Sequence, residues 1–94
     1  MPIAVVFEFP HDSVEKYEKV VAQGGAIVDQ PQRLSHVCYR TGDGFTVVDV
    51  WEDEESFAAF GAVIGPAMQG AGLDGKPAVH PVQAIISQDG RLGR

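Results

Sequence analysis

The dipeptide Asp43-Gly44 lies between two strand-like runs, and it constrains the fold more than any other feature of the sequence. Aspartate followed by glycine favours a two-residue type I′ loop, which joins neighbouring antiparallel strands. The segment around it, RLSHVCYRTGDGFTVVDVWED over residues 33–53, has β-branched and aromatic side chains that favour strands on both sides of the dipeptide. The sequence therefore predicts a β-hairpin near the middle of the chain.

A further strand is predicted at each end of the chain. Residues 3–9 are rich in β-branched and aromatic side chains and stop at Pro10, as a first strand would. Residues 78–87 form a last strand with Pro81 inside it. Because proline cannot donate a hydrogen bond to a neighbouring strand, Pro81 predicts that this strand lies at a sheet edge.

A helix is predicted between each outer strand and the hairpin. In the first helix, Asp12 and Glu15 have the spacing of a capping box. The apolar stripe of this helix recurs at helical intervals and consists of Val14, Tyr17, Val20 and Val21. Asp53 is placed to cap the second helix. Pro66 is expected to break or kink that helix, since proline lacks the backbone N–H of a helix interior.

The order β-α-β-β-α-β predicts an α+β, ferredoxin-like domain with a four-stranded antiparallel sheet and two helices on one face. We expect a single domain over 1–87 and a flexible C-terminal tail over 88–94. The other face of the sheet then needs a cover. A second copy of the chain, forming a dimeric α+β barrel, is the simplest one.

Composition supports the same picture. A chain of 94 residues with one cysteine has no intrachain disulfide to staple it, and 45% hydrophobic residues favour burial in a homodimer. The net charge of −6, without a basic stripe, argues against nucleic acid or an anionic membrane as a partner. The opening segment lacks a basic leader, which indicates a cytoplasmic protein. The expected partner is a small apolar or aromatic molecule.

The pairing that follows from an Asp43-Gly44 loop places Arg40 opposite Val47, Cys38 opposite Asp49 and His36 opposite Trp51. Cross-strand partners share a face, so these six side chains lie together. The opposite face carries a more uniformly apolar set, which predicts that it lies under the helices: Val37, Tyr39, Thr46, Val48 and Val50. Asp49 then either lines a cavity that a dimer encloses, or it is solvated or paired with Arg40.

The segment FTVVDVWEDEESFAAF, residues 45–60, resembles the strand-tryptophan-acidic-helix signature of the antibiotic biosynthesis monooxygenase family of dimeric α+β barrels. The element order is similar over residues 3–87. The resemblance implies kinship with cofactor-free oxygenases of polyketide phenols, haem-degrading monooxygenases, and related isomerases and cyclases. Trp51 matches their pocket tryptophan. The chain has no asparagine, a residue that also takes part in those sites, and Gly61 stands where haem-degrading members place a ligand histidine.

The candidate site is therefore assigned as follows. Asp49 would abstract or relay a proton with help from His36, a residue type that titrates near neutral pH. The predicted substrate-binding residues are Trp51, Cys38, Arg40, Val47 and His80. No cofactor is expected, and no metal, although His36, Asp49 and His80 are the residue types of a two-histidine, one-carboxylate metal site.

Two functions stay open on the sequence alone. The chain is either a cofactor-independent monooxygenase or isomerase/cyclase that transforms an apolar or aromatic molecule in the barrel lumen, or a non-catalytic dimer that binds a ligand or acts in assembly. Turnover of a phenolic or enolisable compound would separate the two.

Overall fold

A computed structural model describes residues 1–86, and within them the predicted strands and helices occur in the predicted order. Residue 87 and the tail predicted for 88–94 lie outside the described residues. The elements are β1 Ile3–Phe9, α1 Val14–Val21, a short 3₁₀ helix Gly25–Ile27, β2 Arg33–Thr41, β3 Gly44–Trp51, α2 Glu54–Ala71 and β4 Pro77–Pro81.

The four strands form one antiparallel sheet in the order β2-β3-β1-β4. This is the predicted ferredoxin-like α+β fold. β4 lies at a sheet edge, as the proline in it indicates, but it ends at Pro81, short of the predicted residue 87. Beyond it, the backbone N–H of Val82 donates to the carbonyl of Pro2 at 3.0 Å.

Both helices pack on one face of the sheet through two clusters of buried apolar side chains. One cluster consists of Phe9, Val20, Phe45, Val47, Ala67 and Leu73, and the other of Ile3, Val5, Trp51 and Phe60. Side chains alternate along a strand, so the residues between these, such as Val6 and Val48, point to the opposite face. We call the helix-covered side the inner face and the other side the outer face.

The assignment of the two faces from sequence is wrong. Asp49 and Trp51, predicted to lie away from the helices, are on the inner face with 2% and 0% of their surface exposed. Val37 and Tyr39, predicted to lie under the helices, are 53% and 49% exposed on the outer face. Both faces are rich in apolar residues, so hydrophobicity alone did not distinguish them. The cost of burying the Asp49 carboxylate is offset by a hydrogen bond from His36, which the sequence pattern does not show.

The loop of the hairpin is Gly42-Asp43, one residue earlier than predicted, because Thr41 pairs with Gly44. Gly42 has φ 57° and Asp43 has no positive φ, which fits a type II′ loop and excludes type I′. Gly44 is needed for a different reason: a Cβ there would overlap the carbonyl oxygen of Phe9 and the backbone of Pro10.

The change of loop moves the register of β2 on β3 by two residues. A two-residue shift keeps every side chain on the same face but changes its cross-strand neighbour. Cys38 lies opposite Val47, and His36 lies opposite Asp49 instead of Trp51.

The start of α1 also differs in detail from the prediction. Ser13 is the N-cap residue, and its side chain makes no capping hydrogen bond. Asp12, predicted to cap the helix, instead accepts a hydrogen bond from the ammonium of Lys16 at 2.8 Å. That pair joins one turn of helix at the surface and contributes little to stability.

The second helix begins as predicted, and of the two effects expected of Pro66, a break or a kink, the break does not occur. Asp53 caps it by accepting a hydrogen bond from the backbone N–H of Ser56 at 2.7 Å, and the Ser56 hydrogen bonds lower the pKa of the Asp53 carboxyl. The helix does not end at Pro66 but continues to Ala71, since Ala67 beyond the proline is packed in the core. Among residues 1–86, neither helix combines the length and the apolar character that crossing a membrane requires.

We predict that Gly44→Ala lowers the free energy of unfolding by about 2–3 kcal/mol, because the added methyl group must displace backbone atoms of β1. Gly61→Ala is the matched control. Gly61 is an exposed residue of α2, and a methyl group added there meets no other atom, so alanine should stabilise the helix by up to about 1 kcal/mol. Urea unfolding of the two variants measures both changes. Equal stability of the two variants would contradict the close contact.

Candidate active site

A hydrogen bond joins the two residues that the sequence singled out for proton transfer. His36 on β2 lies directly opposite Asp49 on β3, and the imidazole Nδ1 is 2.5 Å from the Asp49 Oδ1. The Asp49 side chain is 3% exposed and the His36 side chain is 30% exposed. A carboxylate only accepts hydrogen bonds, so the His36 Nδ1 is the donor to Asp49, and in the singly protonated tautomer that this requires, Nε2 is an acceptor.

Tyr17 on α1 extends this pair into a chain of three residues. Its hydroxyl lies 2.7 Å from the His36 Nε2, and its ring stacks on the imidazole with centroids 5.9 Å apart and planes 10° from parallel. With Nε2 as acceptor, the Tyr17 O–H is the donor. The order of the chain is therefore Tyr17 O–H to His36 Nε2, then His36 Nδ1–H to Asp49.

The Tyr17 phenol is held in its protonated form. Burial raises its pKa above the ordinary value of 10.0, and the nearby Cys38 and Asp49 act in the same direction, while the positive charge of Arg33 partly opposes them. At neutral pH the phenol is therefore a hydrogen-bond donor to His36 and not a phenolate. Its oxygen still has lone pairs that are available to another group.

A cavity of about 140 Å³ lies between the inner face of the sheet and the helices, and the chain of three residues lines it. Within residues 1–86, the polar side chains in its wall are Tyr17, Arg33, His36 and Asp49. The rest of the wall is apolar, with contributions from the sheet and both helices that include Phe7, Val20, Phe45, Val47, Phe60, Ile64 and Met68. An engineered apolar cavity of roughly 150 Å³ admits benzene, so this one has room for an aromatic ring.

The cavity opens to solvent between α1, the 3₁₀ segment and β2. Val21 and Val28 in its wall are 37% and 47% exposed, and the His36 ring is partly exposed as well. Asp49 lies deeper, behind His36. Asp49 lies on the face of the sheet that the helices of the same chain cover, so the prediction that it faces a lumen enclosed between two subunits is wrong.

The other predicted site residues are distributed over the fold. Val47 lines the cavity, whereas Cys38, Arg40 and Trp51 share the inner face but are outside the lining. Burial raises the pKa of the Cys38 thiol, which keeps it protonated and unreactive at neutral pH. Arg40 is exposed near the hairpin loop.

Trp51 is buried on the inner face of the sheet, whereas His80 is exposed on the outer face. Trp51 is fully buried between the sheet and α2, with ring centroids 5.0 Å from Phe60 and 6.0 Å from Phe57. Its indole Nε1 is buried without a hydrogen-bond partner in the part of the chain that the structure describes. His80 is exposed on β4 and pairs with Ala4, so it points to the outer face.

The position of His80 argues against the two-histidine, one-carboxylate metal site that the residue types suggested. His80 lies on the other face of the sheet from His36 and Asp49. Over residues 1–86, no three His, Cys, Asp or Glu side chains are grouped closely enough to hold a metal ion. The catalytic roles of His36 and Asp49 stay predictions, now with a defined geometry.

Of the four polar side chains in the cavity wall, sequence reasoning found His36 and Asp49 and missed Tyr17 and Arg33. Tyr17 was assigned to the apolar stripe of the first helix, where a tyrosine is usually a packing residue with a polar tip. Arg33 was not singled out, because its position depends on an irregularity in β2. The one available signal for Tyr17 was that its stripe faces the sheet that carries His36.

We predict that Tyr17 ionises at a higher pH than a free tyrosine. Because its pKa is raised in the folded protein, its contribution to stability is complete below about pH 10 and is lost as the pH rises through the folded-state pKa. An alkaline titration of tyrosinate absorbance should show a late component that Tyr17→Phe removes and Tyr39→Phe, the matched control at the other tyrosine, retains. A late component that survives in Tyr17→Phe would contradict the burial of this phenol.

Comparisons with known proteins identify structures that are similar to this chain. A scan against protein-family models found no match, and a search of curated proteins found none either. Among solved structures, a cofactor-independent oxygenase from Streptomyces nogalater, SnoaB, is similar with a TM-score of 0.65 and 16% identity, over 93% of this chain and 98% of that chain. At that identity the likeness shows the fold alone.

A second solved structure is closer in sequence. It is a monooxygenase from the ActVA-Orf6 gene of Streptomyces coelicolor in complex with Nanaomycin D, with 30% identity and a TM-score of 0.55. The match covers 93% of this chain and 92% of that chain. Identity at this level over nearly the whole of both chains, together with the shared fold, shows that the chain belongs to the antibiotic biosynthesis monooxygenase-like family.

Proposed function

We propose that this protein is a cofactor-independent monooxygenase that binds an aromatic molecule in the inner cavity. The observation that carries the proposal is the hydrogen-bonded chain Tyr17–His36–Asp49, which forms one side of an otherwise mostly apolar cavity. The Streptomyces coelicolor relative supports it, as a monooxygenase seen with a small molecule bound. Asp49 is 2% exposed at the inner end of this cavity, and burial strengthens the electrostatic interactions of its carboxylate.

In this proposal His36 is the proton acceptor. Asp49 fixes the ring in the tautomer whose Nε2 accepts, and its negative charge stabilises the imidazolium that forms when a proton arrives. This is the role that a buried carboxylate has behind a histidine base in hydrolases. The buried position of Asp49 and the partial exposure of His36 agree with these roles, since the substrate approaches from the open side of the cavity.

Tyr17 connects the base to the substrate. Its hydroxyl proton moves to His36 Nε2 while its oxygen takes a proton from the acidic C–H or O–H of the substrate, so the phenol is unchanged at the end of the step. The same route run in reverse later returns a proton. The raised pKa of the Tyr17 phenol keeps the resting state neutral and avoids a buried phenolate.

The substrate supplies the electrons for oxygen. Loss of a proton from a doubly activated CH₂ group gives a carbanion, which transfers an electron to dioxygen, and recombination of the two radicals forms a C–O bond. The relay protonates the resulting peroxide. Loss of the second C–H proton with cleavage of the O–O bond then gives a ketone, and the other oxygen atom leaves as water.

We predict oxygen uptake when the purified protein meets anthrone under air, because anthrone carries such a CH₂ group between aromatic rings. His36→Gln should slow the uptake by roughly 10²-fold or more, the usual loss on removal of a general base. His11→Gln is the matched control, since His11 is exposed outside the cavity lining, and it should leave the rate unchanged. An oxygen electrode measures the rates, and thermal unfolding checks that both variants fold.

Two outcomes would change the proposal. Full uptake by His36→Gln would overturn the proton relay. Binding of anthrone or Nanaomycin D by the wild-type protein without any uptake would favour a binding protein over an enzyme. The second ligand is included because the Streptomyces coelicolor monooxygenase holds it.

We further propose that two copies of the chain associate through their outer faces. Both helices are on the inner face, so the outer face exposes Val37 and Tyr39 beside the half-buried Val6, Val48 and Val50. A contiguous apolar surface of this kind on a small domain favours burial against a partner. A second copy offers the same surface, and two-fold pairing of identical faces is the commonest form of association.

We predict a mass near twice the chain mass of 10.1 kDa in solution. Val37→Glu should shift the protein to the monomer, because it places a carboxylate in the paired apolar faces without disturbing the core. Val63→Glu is the matched control: Val63 is 38% exposed on α2, away from the outer face. Light scattering coupled to size exclusion measures the masses, and a monomeric wild-type protein would contradict the pairing.

A further inference from the structure

The start of β2 contains a β-bulge that determines where Arg33 points. Arg33 lies opposite Trp51, while Ser35 lies opposite Val50, so Arg33 and Leu34 together face a single residue of β3. In a regular strand Arg33 would share the outer face with Ser35. The extra residue turns Arg33 to the inner face instead, and bulges are common where a strand must re-aim a side chain at a site.

The Arg33 guanidinium forms part of the cavity wall. Its central carbon lies 5.7 Å from the centre of the Trp51 ring and 5.3 Å from that of Phe60. Its Nη2 donates to the carbonyls of Val28, at 3.0 Å, and Ile27, at 3.3 Å. These contacts hold the side chain in place while its Nε and Nη1 make no hydrogen bond within residues 1–86.

Arg33 also has no carboxylate partner in the described part of the chain: the ion pairs there join Lys16 to Asp12 and His36 to Asp49. A half-buried guanidinium has lost part of its hydration and gains from an anion placed against its remaining N–H groups. The protein as a whole carries a net charge of −6, which repels anions. The positive charge of Arg33 in the cavity wall is therefore a local site that attracts them.

We propose that Arg33 binds the carboxylate of an aromatic acid whose ring occupies the cavity. The inference rests on the proposed function and narrows its substrate class to aromatic monocarboxylates. A carboxylate fits better than a phosphate because Arg33 is the one arginine or lysine in the described wall, and Asp49 already contributes a negative charge there. A dianion would lack a second cation. The ring of the ligand would lie between Arg33 and the Tyr17–His36 pair.

The test compares naphthoic acid with its methyl ester by isothermal titration calorimetry at neutral pH. The wild-type protein should bind the acid about tenfold more tightly than the ester, the usual gain from a charge-assisted hydrogen bond. Arg33→Gln should remove that preference, and Arg33→Lys should keep part of it. Arg40→Gln, which removes an exposed arginine of the same strand outside the cavity lining, should behave as the wild-type protein.

The ratio of the two affinities shows whether Arg33 acts through its charge or only by supporting the structure of the cavity wall. If Arg33→Gln loosens the 3₁₀ segment, acid and ester weaken together and the tenfold ratio persists, which would overturn the proposal. Equal binding of acid and ester by the wild-type protein, with oxygen uptake intact, would overturn the carboxylate subsite alone. An Arg33-dependent preference for the acid, together with no oxygen uptake on anthrone, would support the subsite and overturn the oxygenase function. If neither probe binds, the subsite is overturned and the oxygen-uptake assay alone decides the function.

Discussion

The two-residue loop Gly42-Asp43 determines the register of the central hairpin, and the candidate active site depends on that register. Gly42 takes the positive φ of 57° that this loop requires, Thr41 then pairs with Gly44, and His36 lies opposite Asp49. A shift of one residue would turn His36 to the outer face. A shift of two would keep it on the inner face but place Cys38 opposite the carboxylate. The observed register is the one that joins imidazole and carboxylate directly.

The same hydrogen bond makes the burial of Asp49 tolerable. An ionised carboxylate without a partner costs several kcal/mol inside a protein, and breaking a buried pair by removing one partner is strongly destabilising. His36 supplies the partner, and Tyr17 in turn satisfies the second nitrogen of the imidazole. The three residues come from β3, β2 and α1, so the chain also ties the first helix to the sheet. Stability and the proposed proton transfer therefore rest on the same contacts, and substitutions there will affect both.

The fold could be predicted from the sequence because its signals are local and agree with one another. Hydrophobic periodicity, the hairpin glycines, the Asp53 cap and Pro81 all indicated the observed elements and the edge position of β4. The face assignment failed because it compared two apolar faces by composition, and the decisive contacts, those of Val20, Phe60 and Ala67 with the inner face, are between distant segments. For the same reason Tyr17 was not connected with His36, and the bulge at Arg33 left no local signal in the sequence.

A small protein of this kind needs both stability and an open cavity, and one apolar face of the sheet can hardly provide both. The two faces of the sheet divide these requirements. The inner face supports a core and also a cavity, so part of its apolar surface is left without protein contacts and gives little stability. The outer face presents exposed apolar side chains such as Val37 and Tyr39, which a second copy can cover. If the outer faces pair as proposed, association supplies stability that the inner face gives up, and it does so from the side of the sheet opposite the cavity mouth. The cavity then stays open to solvent between α1 and β2 in the dimer, because the paired faces lie behind the sheet.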